Sequence, residues 1–532
     1  MGYGATISDG QSSRPPLPSL NTNANRDGEE VSDETDLLIS RTELAATKRQ
    51  LRRFLIAAPF LMLLLFVLTL LFTTTKYSWK EANGVSPDRF NGPPKLACSR
   101  GLPPDGGISG YFNLPSNPKL NYFYYFAASK TTPMKDAPLL LWMSGGPGCS
   151  SLLASYMENG PCRVRRNNDT KLPEAIMNEY GWNEEVNVVW VDQPADVGLS
   201  YGDNGNSSLF SHKEVSANML AFLHRWQQRF PDSHNGELYI FAESFGGHYA
   251  PAVGHNYFMA EQVGLAPEGL KLAGVGVGNG LTNPTIQYQY APIFANNNTY
   301  GIKSVSDAVY LQMKRDVPHC IHKIKKCNRL FSESGDEDCM DAFLYCNDKL
   351  QMPFFETGRN IYDIRTFESY KDDMAVVTDF VNQHKIRNAL DADNGVEFVA
   401  CNMNIYMRFL FDWMKEYEDS IPVMLENGVD ILIYAGDADF ILNWMGNEAW
   451  VKDMDWAGKE TFNEKKERDF VYRDSGGDGV VGGVGRDVKL DEDTGRLTFL
   501  RVYNAGHLAP RDQPVAMLEM INRFVRRNAI ID

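Results

Sequence analysis

The run Leu238-Tyr239-Ile240-Phe241-Ala242-Glu243-Ser244-Phe245-Gly246-Gly247-His248 passes from an apolar, β-prone stretch, through a serine, into a glycine-rich helix start. A serine on a sharp strand-to-helix turn points to a nucleophile elbow, in which a strained turn lifts the hydroxyl clear of a sheet. The pattern constrains the whole chain, because such a strand needs parallel neighbours and helices on both faces. Ala242 stands where a glycine is usual and is still small. An ordinary buried serine after a strand remains the alternative at this stage.

The surrounding sequence has the required rhythm. Tyr122–Ala127, Leu139–Met143, Val186–Val191, Leu238–Ala242, Ile431–Tyr434 and Thr498–Val502 read as strands alternating with longer helical patterns. One helix is sharply marked: Ser211 and Glu214 form a capping box, and Val215, Met219, Phe222, Trp226 and Phe230 follow at helical spacing. The stretch Ile431–Tyr434 runs into Ala435-Gly436-Asp437-Ala438-Asp439-Phe440, and Thr498–Val502 runs into Asn504-Ala505-Gly506-His507. Serine, aspartate and histidine therefore follow one another, each just past a strand, in the order of the α/β-hydrolase fold. A hydroxyl needs a base to become a nucleophile, and that base needs an acid to hold its tautomer. Ser244, His507 and Asp439 are expected in those roles. The other histidines, His212, His224, His234, His255, His319, His322 and His384, are expected to be surface or structural, with His248 turned away from the attacking oxygen.

Fold class is thus expected to be α/β: a doubly wound mixed α/β-hydrolase sheet over residues 96–532, with an inserted helical lid at about 296–378. A transmembrane helix is expected before it. Residues 54–72 carry no charge over a bilayer-spanning length, and Lys48, Arg49, Arg52 and Arg53 precede them. A signal-anchor at 54–75, a stalk at 76–95 and a polar cytosolic tail at 1–53 follow, giving a single-pass type II protein with its catalytic domain lumenal. The alternative is a cleaved signal peptide. Within the tail, Asp33, Leu37 and Leu38 match an acidic dileucine sorting signal, which as readily arises by chance; a vacuole or lysosome is the expected destination. The net charge of −16 over 532 residues argues against nucleic acid as a partner. Oligomeric state is left open. Of eight cysteines, Cys320, Cys327, Cys339 and Cys346 crowd one stretch beside His319 and His322, a pattern open to disulfides or metal.

From about Cys98 to its end the chain resembles the serine carboxypeptidases of the carboxypeptidase Y type. The resemblance lies in Ser144-Gly145-Gly146-Pro147-Gly148-Cys149-Ser150-Ser151, Val191-Asp192-Gln193-Pro194, Glu243-Ser244-Phe245-Gly246, Gly276-Val277-Gly278-Asn279-Gly280, the segment ending Asp439-Phe440, and Gly506-His507. It implies release of C-terminal residues from peptides at acidic pH, with Asp439 rather than Asp437 as triad acid and no cofactor or metal. It also implies an oxyanion hole from the amides of Gly146 and Phe245. Glu158 and Glu243 would share a proton and bind the substrate carboxylate, helped by the Gly145 amide. Where the family usually has asparagine this chain has Ser144, a shorter hydroxyl. Leu442 and Leu508 would make an aliphatic pocket beside the reacting bond. Trp142 is expected to line the leaving-residue pocket, the alternative being a core tryptophan. A serine carboxypeptidase-like acyltransferase and a non-catalytic chaperone or binding protein are the competing functions.

The same resemblance implies disulfides Cys320–Cys346, Cys327–Cys339 and Cys149–Cys401, leaving Cys98 with Cys162; a lumenal setting favours these over zinc. Asn168, Asn206 and Asn297 open candidate glycosylation sequons.

Overall fold

Alternation along the expected strands decides which residues fill which layer. In the computed structural model, Leu139, Leu141 and Met143 join one buried cluster while Leu140 and Trp142 join the other; Leu238, Ile240 and Ala242 part from Tyr239 and Phe241 in the same way. Strands buried on both faces in this manner belong to the middle of a helix-covered parallel sheet.

The structure describes residues 107–114, 120–202, 211–329, 335–474 and 476–531. The expected tail, anchor, stalk and sorting motif (Asp33, Leu37, Leu38), together with Cys98 and Asn206, lie outside them. The chain divides into the units Met1–Gly84 and Val85–Asp532, and the fold below is that of the second. Among the described residues no helix is long and apolar enough to cross a membrane.

Its strands are β1 (Gly107–Leu114), β2 (Leu120–Ala127), β3 (Leu139–Met143), β4 (Cys162–Arg166), β5 (Pro173–Met177), β6 (Asn187–Val191), β7 (Tyr201–Gly202), β8 (Glu237–Glu243), β9 (Lys271–Gly278), β10 (Asp430–Gly436), β11 (Arg468–Arg473), β12 (Gly479–Lys489) and β13 (Arg496–Val502). The main sheet runs β1-β2-β6-β3-β8-β9-β10-β13-β12-β11, with β7 against β2 and β4-β5 as a separate hairpin. From β6 to β13 neighbours are parallel; β1, β2, β12 and β11 are antiparallel additions at the edges. This is the mixed sheet of an α/β hydrolase.

Helix α1 (Ser151–Met157) follows β3. Helix α2 (His212–Arg229) is the one marked by the capping box, and the Ser211 amide donates to Glu214 Oε2 at 3.2 Å. Helix α3 (Gly246–Gln262) follows the elbow.

β9 was not expected as a strand, because glycine weakens a strand's apparent preference. Aromatic rings explain it. A Cβ on Gly276 would fall 2.1 Å from the Phe241 ring, and one on Gly278 would fall 2.3 Å from the Tyr434 ring and hydroxyl.

The insertion is longer than the expected 296–378. Helical segments fill the interval from Pro284 to Leu425, between β9 and β10, and four strands follow rather than two. Its later part packs as core: Phe409, Leu410 and Met414 are buried. Within it, α4 (Asp307–Cys327) and α5 (Gly335–Cys346) are joined by Cys320–Cys346 and Cys327–Cys339. Cys149–Cys401 links the loop after β3 to the later part of the insertion. Cys162 is also disulfide-bonded. Asn168 and Asn297 are exposed.

Candidate active site

Four consecutive strands of the sheet, β8, β9, β10 and β13, end at one edge. Loops from parallel strands emerge on the same side, so Ser244, Asn279, Asp439 and His507 are gathered there although they are far apart in sequence. Ser244 has φ 66°, the left-handed region that non-glycine residues avoid. The turn is held from both sides: the Ser244 amide donates to the Gly278 carbonyl at 3.0 Å, and its carbonyl accepts from Gly247 and Leu281, each at 2.9 Å.

His507 and Asp439 are buried, 4% and 0% exposed. His507 Nδ1 lies 2.7 Å from Asp439 Oδ2, which orients the ring and leaves Nε2 as the nitrogen able to take a proton. Asn279 Nδ2 donates to the same Oδ2 at 2.9 Å, and the Ile441 amide donates to Oδ1 at 3.2 Å. Asn279 Oδ1 in turn accepts from the Gly436 amide at 3.1 Å. The acid is therefore dry and fixed. Asp437, the other acid of the loop, is held away from this role by the Tyr300 hydroxyl, which donates to its Oδ1 at 2.5 Å.

Among the described residues the amides of Gly146 and Phe245 have no protein acceptor, as an oxyanion hole requires. Gly145 explains how the two loops meet. A Cβ there would fall 2.5 Å from the Glu243 carbonyl and 2.6 Å from the Phe245 nitrogen, so only glycine lets the loop lie on the elbow. Asp192 braces that loop: its carboxylate accepts from Ser150 Oγ at 2.6 Å, the Ser151 amide at 2.9 Å and the Leu199 amide at 2.8 Å.

Glu158 and Glu243 are each 4% exposed and face one another as a hydrogen-bonded pair. Neither Oε2 has a donor among the described groups, so a shared proton is what satisfies both. Burial pushes Glu158 up to about 7. Burial, then the charge of Glu158, pushes Glu243 well above the ordinary carboxylate range. A buried pair that keeps a proton at mildly acidic pH can donate to an anion.

Ser144 is half-buried; its amide donates to Ser151 Oγ at 3.0 Å and its hydroxyl accepts from Trp142 Nε1 at 3.2 Å. Trp142 corrects an expectation. It is wholly buried, edge-on to Trp182 at 5.3 Å, so it packs the sheet and positions Ser144 instead of lining a pocket. Leu442 and Leu508, 7% and 9% exposed, sit two or fewer residues beyond the acid's loop and the base. The sequence marks no role for Asn279 or Asp192, since only the folded arrangement shows what they touch.

A strained serine, a dry Asp–His pair and free amides at the strand ends define a serine hydrolase of the α/β-hydrolase class. The serine carboxypeptidase family matches residues 100–527. The chain belongs to that family. It is 34% identical to a "Serine carboxypeptidase-like" protein of Oryza sativa subsp. japonica, covering 80% of this chain and 93% of that one. It is 36% identical to "Carboxypeptidase Y homolog A" of Sordaria macrospora, over 78% of this chain and 71% of that one. A prohormone-processing carboxypeptidase from Saccharomyces cerevisiae has a similar fold, with TM-score 0.68 at 20% identity, covering 82% of this chain and 94% of that one.

Proposed function

We propose that this enzyme releases C-terminal residues from peptides and proteins, working best at acidic pH through an acyl-enzyme. The observation that carries the reading is the buried Glu158–Glu243 pair, with Glu243 adjacent to Ser244 in the chain. A triad alone supports only acyl transfer; a protonated carboxyl pair adds recognition of a terminal carboxylate. In this reading Ser244 Oγ attacks the last peptide carbonyl while His507 Nε2 takes its proton. The amides of Gly146 and Phe245 hold the oxyanion. The C–N bond breaks as His507 returns the proton to the leaving amine. Water then attacks the ester, with His507 again as base, and Ser244 is restored. Gly145, Ser144 and the glutamates hold the carboxylate, while Leu442 and Leu508 give the neighbouring pocket an aliphatic wall.

The apolar, uncharged run at 54–72, preceded by Lys and Arg, supports a type II anchor with the catalytic domain lumenal, and Asp33, Leu37 and Leu38 support delivery to a vacuole or lysosome. The disulfides fit an oxidising lumen.

The test is hydrolysis of an N-blocked dipeptide at about pH 5 and about pH 8, with Ser244→Ala as control. Release of the free C-terminal residue that depends on Ser244 and is faster at the lower pH is expected. Transfer of the acyl group to an added alcohol in place of hydrolysis would favour an acyltransferase, and no Ser244-dependent reaction would refute the reading.

A further inference from the structure

Behind the elbow lies a second cluster of metal-competent side chains that the reaction does not use. His248 stands in the first turn of α3, His212 opens α2, and Asp412 follows the short turn Phe409–Phe411. They are 0%, 2% and 8% exposed. Asp412 Oδ2 is in contact with His212 Nδ1 and lies 3.6 Å from His248 Nδ1. One ligating atom from each of the three falls within 4.8 Å of the others.

The surroundings are dry and aromatic. Phe245, Tyr249, Phe409 and Tyr417 pack on the His212 ring, and Phe245 and Tyr417 also pack on His248. Tyr417 donates its hydroxyl to Asp412 Oδ1 at 3.0 Å. The Nε2 atoms of both histidines have no hydrogen-bond partner among the described residues. Buried polar atoms are nearly always satisfied, so two such nitrogens, on rings whose Nδ1 atoms face a buried carboxylate, require an explanation.

We propose that His212, His248 and Asp412 form a site for one divalent transition-metal ion, zinc in the first instance. Two imidazoles and one carboxylate are a donor set that zinc accepts with N and O ligands. Calcium or magnesium would want a shell of oxygens that this aromatic box does not supply. The Tyr417 hydroxyl, by holding the free oxygen of Asp412, is the kind of outer contact that orients a ligating carboxylate. The aromatic walls leave the ion no reacting partner, so its role is structural. It ties the start of α2, the start of α3 and the end of the insertion together. The Phe245 ring packs against both histidines, with centroids 5.4 and 4.6 Å away, so the ion also braces the residue whose amide faces the oxyanion.

The experiment uses the full chain purified through a tag without histidine. Elemental analysis after desalting is expected to find about one zinc per chain. Chelator-stripped protein should melt at a lower temperature, and zinc chloride alone should restore it; cobalt(II) chloride should give the visible absorption of a low-symmetry N/O site. His212→Phe, which fills the box with an apolar ring, and Asp412→Asn should each lower the metal content at least about tenfold, as loss of a ligand does. Far-UV circular dichroism confirms that each variant is folded. If both fail to fold, the wild-type stripping and restoration alone decide. The proposal is overturned if wild-type protein holds no transition metal and zinc leaves its melting unchanged, or if the folded variants retain the same metal content.

Discussion

Replacing both members of the acidic pair, Glu158→Gln with Glu243→Gln, should separate carboxylate recognition from its pH dependence. In the wild type, burial raises Glu158 from its ordinary 4.5 to about 7. The native state therefore holds a proton that the unfolded chain has already lost. Stability from this group is full below about pH 4.5 and falls as pH rises through about 7. The difference of roughly 2.5 units corresponds to about 3 kcal/mol across that window. Binding follows the same proton: above about 7, affinity for a substrate carboxylate should fall about tenfold per pH unit, because the pair then carries charge facing an anion. The double amide cannot ionise, yet each carboxamide can still donate. Its affinity should be lower than wild type at about pH 5 by up to about tenfold, because a carboxamide N–H is a weaker donor to the substrate carboxylate than a carboxylic O–H, but flat up to about pH 8. The assay is the inhibition constant of an N-acylated amino acid, which avoids the titration of the triad, with its carboxamide as control. Melting temperature followed over the same pH range tests the stability half. A wild-type inhibition constant that stays flat through neutral pH, or a double variant that keeps the wild-type slope, would refute the reasoning.

Asn279→Ala removes one of three groups bonded to the buried Asp439 carboxylate. A hydrogen bond to a charged group is worth about 1.5–3 kcal/mol, so kcat/KM should fall roughly 10- to 150-fold with KM little changed, and an unaltered kcat/KM would remove Asn279 from the machinery. Gly145→Ala forces a methyl group to within 2.6 Å of the Phe245 nitrogen and should cost at least about 100-fold in kcat by displacing the oxyanion amide, read by steady-state kinetics on folded protein. Removing Cys149–Cys401, which spans 252 residues, with paired alanines should lower stability by up to about 5 kcal/mol, seen as a lower melting temperature.

Local chemistry marks the proposed triad. Ser244, Asp439 and His507 each carry a marker in their own neighbourhood: a strand, a sharp turn and small residues. The expected strands are present as β2, β3, β6, β8, β10 and β13, because apolar β-branched and aromatic runs bury themselves in any order. What escaped depends on who lies next to whom. Asn279 matters because β9 sits between β8 and β10 in the sheet, and Gly276 and Gly278 hid β9 by giving up their side chains to neighbouring rings. The end of the insertion is hidden for a related reason: Phe409 and Met414 look like the core of any domain, and only the contact with Tyr249 shows that Phe409 covers the elbow's helix. His212 had no sequence marker, being brought to His248 by the packing of α2 on α3.

The Cys149–Cys401 link has a topological consequence. It closes the chain into a ring containing Glu158, Ser244 and the insertion as far as Ala400, while Asp439 and His507 lie on the tail outside it. A protease that cuts the ring once, for instance beside the exposed Leu311 of α4, opens it into a two-chain molecule but releases nothing. Nucleophile and base can then reside on separate polypeptides without separating in space. Scission within the insertion is in this sense a change of connectivity and not of assembly, and the same cut made beyond Cys401, ahead of Asp439, would leave the acid and base held by packing alone.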